Sequence, residues 1–101
     1  MVFKKVANKL DVEPGGVLRV EVNNREISLF NIEGELYAID EICSHADGPL
    51  SEGYMEGYEI ECPFHGARFN IKTGEVTAPP AVVPVDVFEV RLVGDDIEID
   101  V

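Results

Sequence analysis

CSHADGPLSEGYMEGYEIECPFHGARF, residues 43–69, holds every cysteine and every histidine of the 101-residue chain. They fall as two clips, Cys43-x-His45 and Cys62-x-x-His65, with sixteen residues between His45 and Cys62. A lone buried Cys or His is usually a packed core residue. Four of them paired within 23 positions, beside Gly48, Pro63 and Gly66, read instead as metal ligands carried on loops.

The ligand types leave the metal open. Two Cys with two His is a common structural zinc set, but zinc modules usually pair Cys with Cys and His with His. Here each clip mixes one of each, which suits a binuclear centre with both cysteines on one metal and both histidines on the other. A zinc-stabilised interaction module stays as an alternative. Cys–His pairs also activate thiol nucleophiles. A hydrolase has no need of the pair twice, and no orienting group stands nearby.

Outward from this stretch the pattern is β. Phe3 to Val6 reads as a short strand, and Asp11 to Gly16 (DVEPGG) as a turn or loop. Leu18, Val20 and Val22 alternate with Arg19 and Glu21, the period of a strand with one wet face. Asn23-Asn24 suits a tight hairpin turn. Ile27 to Ile32 and Leu36 to Ile39 follow as strands around Glu33-Gly34. Residues 43–57 read as loop, with one helical turn near Leu50 to Tyr54, before a strand from Tyr58 to Glu61 delivers Cys62. Arg68 to Ile71 and Glu75 to Thr77 form a hairpin around Lys72-Thr73-Gly74. Ala78 to Pro84 (APPAVVP) cannot be a central strand, because proline lacks the ladder donor. It reads as an extended linker or as a lid over the metal site. Val85 to Val93 and Ile97 to Val101 close the chain as a hairpin around Gly94-Asp95.

A chain of 101 residues is a single domain of ordinary size. Its formal charge of −12, from twenty acidic and eight basic side chains, excludes nucleic acid as a partner, since phosphate binding needs a basic surface. The acidic surface serves either solubility or steering toward a basic patch on a protein partner. Two cysteines are too few for a disulfide scaffold, and the first sixteen residues contain no apolar run of signal or membrane length. The expectation is a cytoplasmic protein with no membrane association.

The spacing Cys43-x-His45-x16-Cys62-x-x-His65, with CPFHG around the second clip, resembles the Rieske 2Fe-2S motif. GELYAIDEICSHADGPLSEG (34–53), IECPFHGARFNIKTGEV (60–76) and PVDVFEV (84–90) extend the resemblance over most of the chain. The likeness is to the ferredoxin components of bacterial multicomponent aromatic-ring dioxygenases. It implies an all-β Rieske iron-sulfur fold, an antiparallel β-sandwich in three layers with a small cluster-binding subdomain. Residues 1–101 would form the single Rieske domain, with the subdomain, 43–80, inserted in the β base. One 2Fe-2S cluster is implied, Cys43 and Cys62 on its buried iron and His45 and His65 on the outer one.

The resemblance implies an electron carrier and not an enzyme. The chain is short for a substrate domain, and no histidine is left for a mononuclear iron site. Implied partners are a ferredoxin reductase, flavin- and NAD(P)H-dependent, and a terminal oxygenase. A monomer is the default for such a shuttle. Asp47, Pro49, Phe64 and Pro80 would form the contact surface, with Phe64 as core filler the competing reading, and Asp40, Glu41, Asp47 and Glu52 as steering charge or simply a solvated face. A second reading is the small Rieske-like subunit of an assimilatory nitrite reductase, some members of which have lost the ligands.

Departures from the high-potential branch of the family refine the expectation. Quinol-oxidising Rieske proteins carry a disulfide at positions matching Gly48 and Phe64, and hydroxyl donors at positions matching Ala67 and Phe69. None of these groups is present here. Fewer donors stabilise the reduced cluster's extra charge less, so a low potential is expected.

Overall fold

The computed structural model describes residues 2–43, 48–64, 66–79, 81 and 83–101. Eleven strands are present among them, joined by short turns and two 3₁₀ turns, Lys9–Asp11 and Leu50–Glu52. The strands are β1 (Phe3–Asn8), β2 (Val17–Val22), β3 (Arg25–Ile32), β4 (Glu35–Asp40), β5 (Tyr54–Glu56), β6 (Glu59–Glu61), β7 (Arg68–Asn70), β8 (Val76–Ala78), β9 (Val87–Phe88), β10 (Val90–Val93) and β11 (Asp96–Asp100). They build three antiparallel sheets, ordered β1-β11-β10, β2-β3-β4-β9 and β5-β6-β7-β8.

The middle sheet makes this a three-layer molecule. Alternate side chains of a strand point to opposite faces, and β3 buries both. Ile27 and Leu29 enter one core with Val20, Ala38, Ile97 and Ile99. Phe30 and Ile32 enter a second core with Ile39, Leu50, Ile60, Phe69 and Ile71, which also contains Cys43 and Cys62. Leu36 and Ala38 of β4 face the first core, while Tyr37 and Ile39 face the second. The run ISLFNI therefore lacks clean alternation for a physical reason: neither face is wet. Phe30 and Phe69 are fully buried, and each contributes about 1.5–3 kcal/mol by leaving water.

The hairpin turns fall where the sequence places them. Asn23 and Asn24 take φ of 53° and 62°, and Glu33 and Gly34 take 55° and 91°, matching the strand twist as left-handed two-residue turns do. Three segments differ from the sequence expectation. The helical turn ends at Glu52, and Tyr54–Glu56 is a strand paired with β6. Val85–Val93 is not one strand, because β9 pairs with β4 while β10 pairs with β11. Two residues cannot serve packed layers without a bend, so the chain changes sheets at Glu89, whose carbonyl accepts from the Asp100 N–H at 3.0 Å. A reciprocal cap also forms a 3₁₀ turn ahead of the expected loop: Leu10 N–H donates to Asn8 Oδ1, and Asn8 N–H to Asp11 Oδ2.

Among the described residues, no helix is long and apolar enough to cross a membrane. Every Lys and Arg has a partner. Lys5 and Lys9 meet Asp96 and Asp95, Arg91 meets Glu98, and Arg68 meets Glu56, Glu59 and Glu61. Arg19 meets Glu26 and Glu41, Arg25 meets Asp40 and Asp86, Lys4 donates to Asn23, and Lys72 sits over Tyr58. The excess carboxylates are left uncompensated.

Candidate metal centre

Cys43 follows β4 and Cys62 follows β6, so each ends a strand and begins a loop. The two loops close alike. Cys43 N–H donates to Gly48 C=O at 2.9 Å, and Cys62 N–H donates to Ala67 C=O at 2.7 Å. In both cases the bond spans five residues and folds the loop back over its own cysteine. Residues Ile42 and Pro49 bridge the neck of the first loop, and Gly66 N–H donating to Cys62 C=O at 3.2 Å tightens the second.

The loops also meet. A Cβ built on Gly48, at the end of the first loop, would stand 2.5 Å from Cys62 Sγ and 3.5 Å from the Phe64 ring in the second. Both cysteines are buried, at 3% and 1% exposure, and belong to one core. The structure thus brings the two Cys-bearing clips together from positions nineteen residues apart in the chain. His45 and His65 lie outside the described residues, as do Asp47 and Pro80 of the expected contact surface. Of the proline-rich connection read as a linker or lid, Pro80 and Val82 lie outside them too. Ala81 of that connection, and Val85 directly after it, pack into the cysteine-bearing core.

Two apolar side chains of these loops are exposed among the described residues. Ile42, directly before Cys43, and Phe64, between the two ligand candidates of the second clip, are exposed, Phe64 at 59%. That exposure excludes Phe64 as core filler. Ala67 and Phe69 are fully buried in the core of the two cysteines and bring no hydroxyl to it. One sequence expectation fails. Glu41 has no exposed side chain and cannot supply steering charge, because Ser28 and Ser51 enclose its carboxylate. Its position just past β4, between Asp40 and Ile42, gives no sign of this burial.

Family and structural comparisons follow the same lines. The Rieske [2Fe-2S] domain family matches residues 2–89. The chain belongs to that family. Its Rieske domain is 43% identical over 100 residues to the ferredoxin component of biphenyl 2,3-dioxygenase from Rhodococcus jostii (strain RHA1), covering 99% of this chain and 94% of the relative. The ferredoxin of carbazole 1,9a-dioxygenase from Nocardioides aromaticivorans IC177 superposes with a TM-score of 0.92 at 34% identity, over 98% of this chain and 97% of that one. A ferredoxin solved in complex with the reduced oxygenase of carbazole 1,9a-dioxygenase gives 0.90 at 35% identity, over 97% and 92%. The all-β reading of the flanking pattern, and the Rieske fold and 2Fe-2S cofactor that the resemblance implied, are borne out.

The donor chemistry fits that cofactor. Two thiols stand in a dry core where thiolates need a cation to offset them, and the loops that carry them converge. The cluster, when bound, supplies a one-electron couple raised by two neutral imidazoles relative to an all-cysteine cluster.

Tyr37 packs against the cysteine-bearing core. The Tyr37 and Tyr58 rings meet edge-on with centroids 6.0 Å apart, and Lys72 Nζ lies 3.9 Å from the centre of Tyr58. Tyr37 Oη donates to Glu35 Oε2 at 2.6 Å, and this bond pushes the phenol up to about 12. The raised value favours the protonated folded state, so its contribution is full below the ordinary phenol range and is lost as pH climbs through about 12. In a spectrophotometric titration of tyrosine absorbance, a phase is expected near pH 12, and Tyr37→Phe removes it. A late phase that survives the substitution would contradict the assignment.

Proposed function

We propose that this chain carries single electrons from a flavin- and NAD(P)H-dependent reductase to a terminal oxygenase of the aromatic-ring dioxygenase type. Cys43, His45, Cys62 and His65 hold the 2Fe-2S cluster in this reading, and residues 43–80 form the cluster-binding subdomain. The observation that carries it is the convergence of two identically closed loops, each starting at a buried cysteine, in one core. The named relatives are dioxygenase ferredoxin components, which favours this reading over a nitrite reductase subunit. Thiols kept for metal ligation suit the cytoplasm, and a monomer suits a carrier that alternates between partners.

The chain's own residues then have distinct tasks. Cys43 and Cys62 hold their sulfurs in apolar surroundings, while exposed Phe64 and Ile42 present an apolar contact beside them. Ala67 and Phe69 offer no donor, so the potential falls near the lower end of the about −150 to +300 mV span of Rieske centres. Uncompensated carboxylates steer the chain toward a basic face on its partner.

Reduction by an NADH-driven flavin reductase of a dioxygenase system, followed by the loss of visible absorption, tests this. The second-order rate falls several-fold as ionic strength rises from about 0.01 to 0.1 M, where the screening length shortens from about 30 to 10 Å. A rate indifferent to salt would remove the steering role, and a protein that accepts no electron would remove the carrier role.

A further inference from the structure

A buried carboxylate that no electron-transfer step uses stands two residues before Cys43. Glu41 Oε1 accepts from Ser28 Oγ at 2.6 Å and from Ser51 N–H at 2.8 Å, and Oε2 accepts from Ser51 Oγ at 2.6 Å. Arg19 Nε lies 3.6 Å from Oε2 on the outer side. The side chain has no exposed surface, so these donors must support its charge in place of water. Its backbone is held as firmly: Glu41 N–H donates to Glu26 C=O at 3.1 Å, and Leu50 N–H donates to Glu41 C=O at 2.7 Å.

These bonds reach three separate parts of the fold. Ser28 and Arg19 belong to the middle sheet, Glu41 leads into the first clip, and Ser51 sits in the 3₁₀ turn that follows it. From Ser51 the path continues to the second clip. Gly53, which closes that turn with an N–H bond of 3.0 Å to Leu50 C=O, packs so tightly on the Glu61 carbonyl that a Cβ would stand 2.1 Å from it. Glu61 precedes Cys62. One carboxylate thus bridges the base, the exit of the first clip and, through two residues of rigid turn, the entry to the second.

We propose that Glu41 is the positioning residue that sets the separation of the two cysteine clips. It does so as a multiple hydrogen-bond acceptor on the donors of Ser28 and Ser51. The proposal rests on the reading that Cys43 and Cys62 ligate the cluster. It goes beyond that reading by assigning their spacing to a residue that touches neither. Charge alone is not the requirement: glutamine in the same place keeps an oxygen toward Ser28 Oγ and Ser51 N–H, and its amide can donate to Ser51 Oγ.

The test compares iron-loaded wild type with Glu41→Ala, Glu41→Gln and Ser51→Ala. Iron release to a chelator is followed by bleaching, alongside the electron paramagnetic resonance spectrum of the reduced protein. Glu41→Ala is expected to release iron about 10-fold faster or more, the size of effect that supporting partners have at metal sites, with a broadened spectrum. Glu41→Gln should stay within about threefold of wild type and keep its spectrum, because most of the acceptor geometry survives. Ser51→Ala removes one donor from a folded turn and should fall between them; it carries the test if Glu41→Ala does not fold. Wild-type release rates in both alanine variants would overturn the proposal, as would a Glu41→Gln variant no better than Glu41→Ala. A wild-type protein that binds no iron would instead defeat the cluster reading. Amide exchange at Leu50 and Ser51 then still tests the clamp: faster exchange in Glu41→Ala supports it, and unchanged exchange overturns it.

Discussion

A Cys62→Ala variant is expected to purify without iron and to unfold at least about 20 °C below wild type. Cys62 is 1% exposed at the start of the second loop and shares its core with Cys43. Removing one sulfur from that core costs little packing by itself. The large term is the cofactor, whose binding free energy adds to folding because the unfolded chain holds no assembled site. Even a loss on the order of 5 kcal/mol moves the midpoint by about 20 °C or more in a domain of this size, at roughly 4–8 °C per kcal/mol. Cys43→Ala should behave alike, since its loop is closed by the same five-residue bond. Cys62→Ser separates the sulfur from the space it fills. Iron at the wild-type level in both Cys62 variants, by elemental analysis, would show that this thiol is only packing.

Gly53→Ala is the second large effect, expected to cost about 3 kcal/mol or more, at the upper end for forcing extra carbon into a filled space. The backbone at Gly53 has φ −79° and ψ −171°, open to any residue, so conformational strain is not the cause. Space is. An added Cβ would meet Glu61 O at 2.1 Å and Leu50 O at 3.1 Å. Both are main-chain oxygens and neither can swing away like a side chain. Glu61 belongs to β6 and delivers Cys62, so relief of the clash must move the second clip. Gly57→Ala is the contrast: at φ +60° with nothing within 4 Å, it bears only backbone strain of about 1 kcal/mol. Chemical denaturation of the two variants checks the order, and equal stabilities would contradict it.

Much of this was legible in the chain. Four ligand-type residues in two mixed clips marked a metal centre and carried the resemblance that implied its cofactor, and Asn23-Asn24 and Glu33-Gly34 marked their hairpins, because both signals are local. What escaped the sequence is what depends on layers. The segment Val85–Val93 reads as one strand, yet it crosses between two packed sheets at Glu89, a bend with no glycine or proline to announce it. Tyr54–Glu56 reads as loop because its partner, β6, is only three residues long. Glu41 reads as surface charge because a lone carboxylate between Asp40 and Ile42 does not reveal that Ser28, thirteen residues away, and Ser51 will enclose it. Phe64 read correctly as exposed, since it stands on a loop between Pro63 and Gly66 rather than in an alternating strand.

A one-electron carrier built on two thiolates and two imidazoles has a definite stoichiometry. A reductive titration of the purified protein, with iron and acid-labile sulfide measured on the same sample, tests it most directly. Two irons and two sulfides per chain are expected, with one electron taken up per two irons and a midpoint near the lower end of the about −150 to +300 mV Rieske range. A colourless protein holding one zinc and taking up no electron would contradict it.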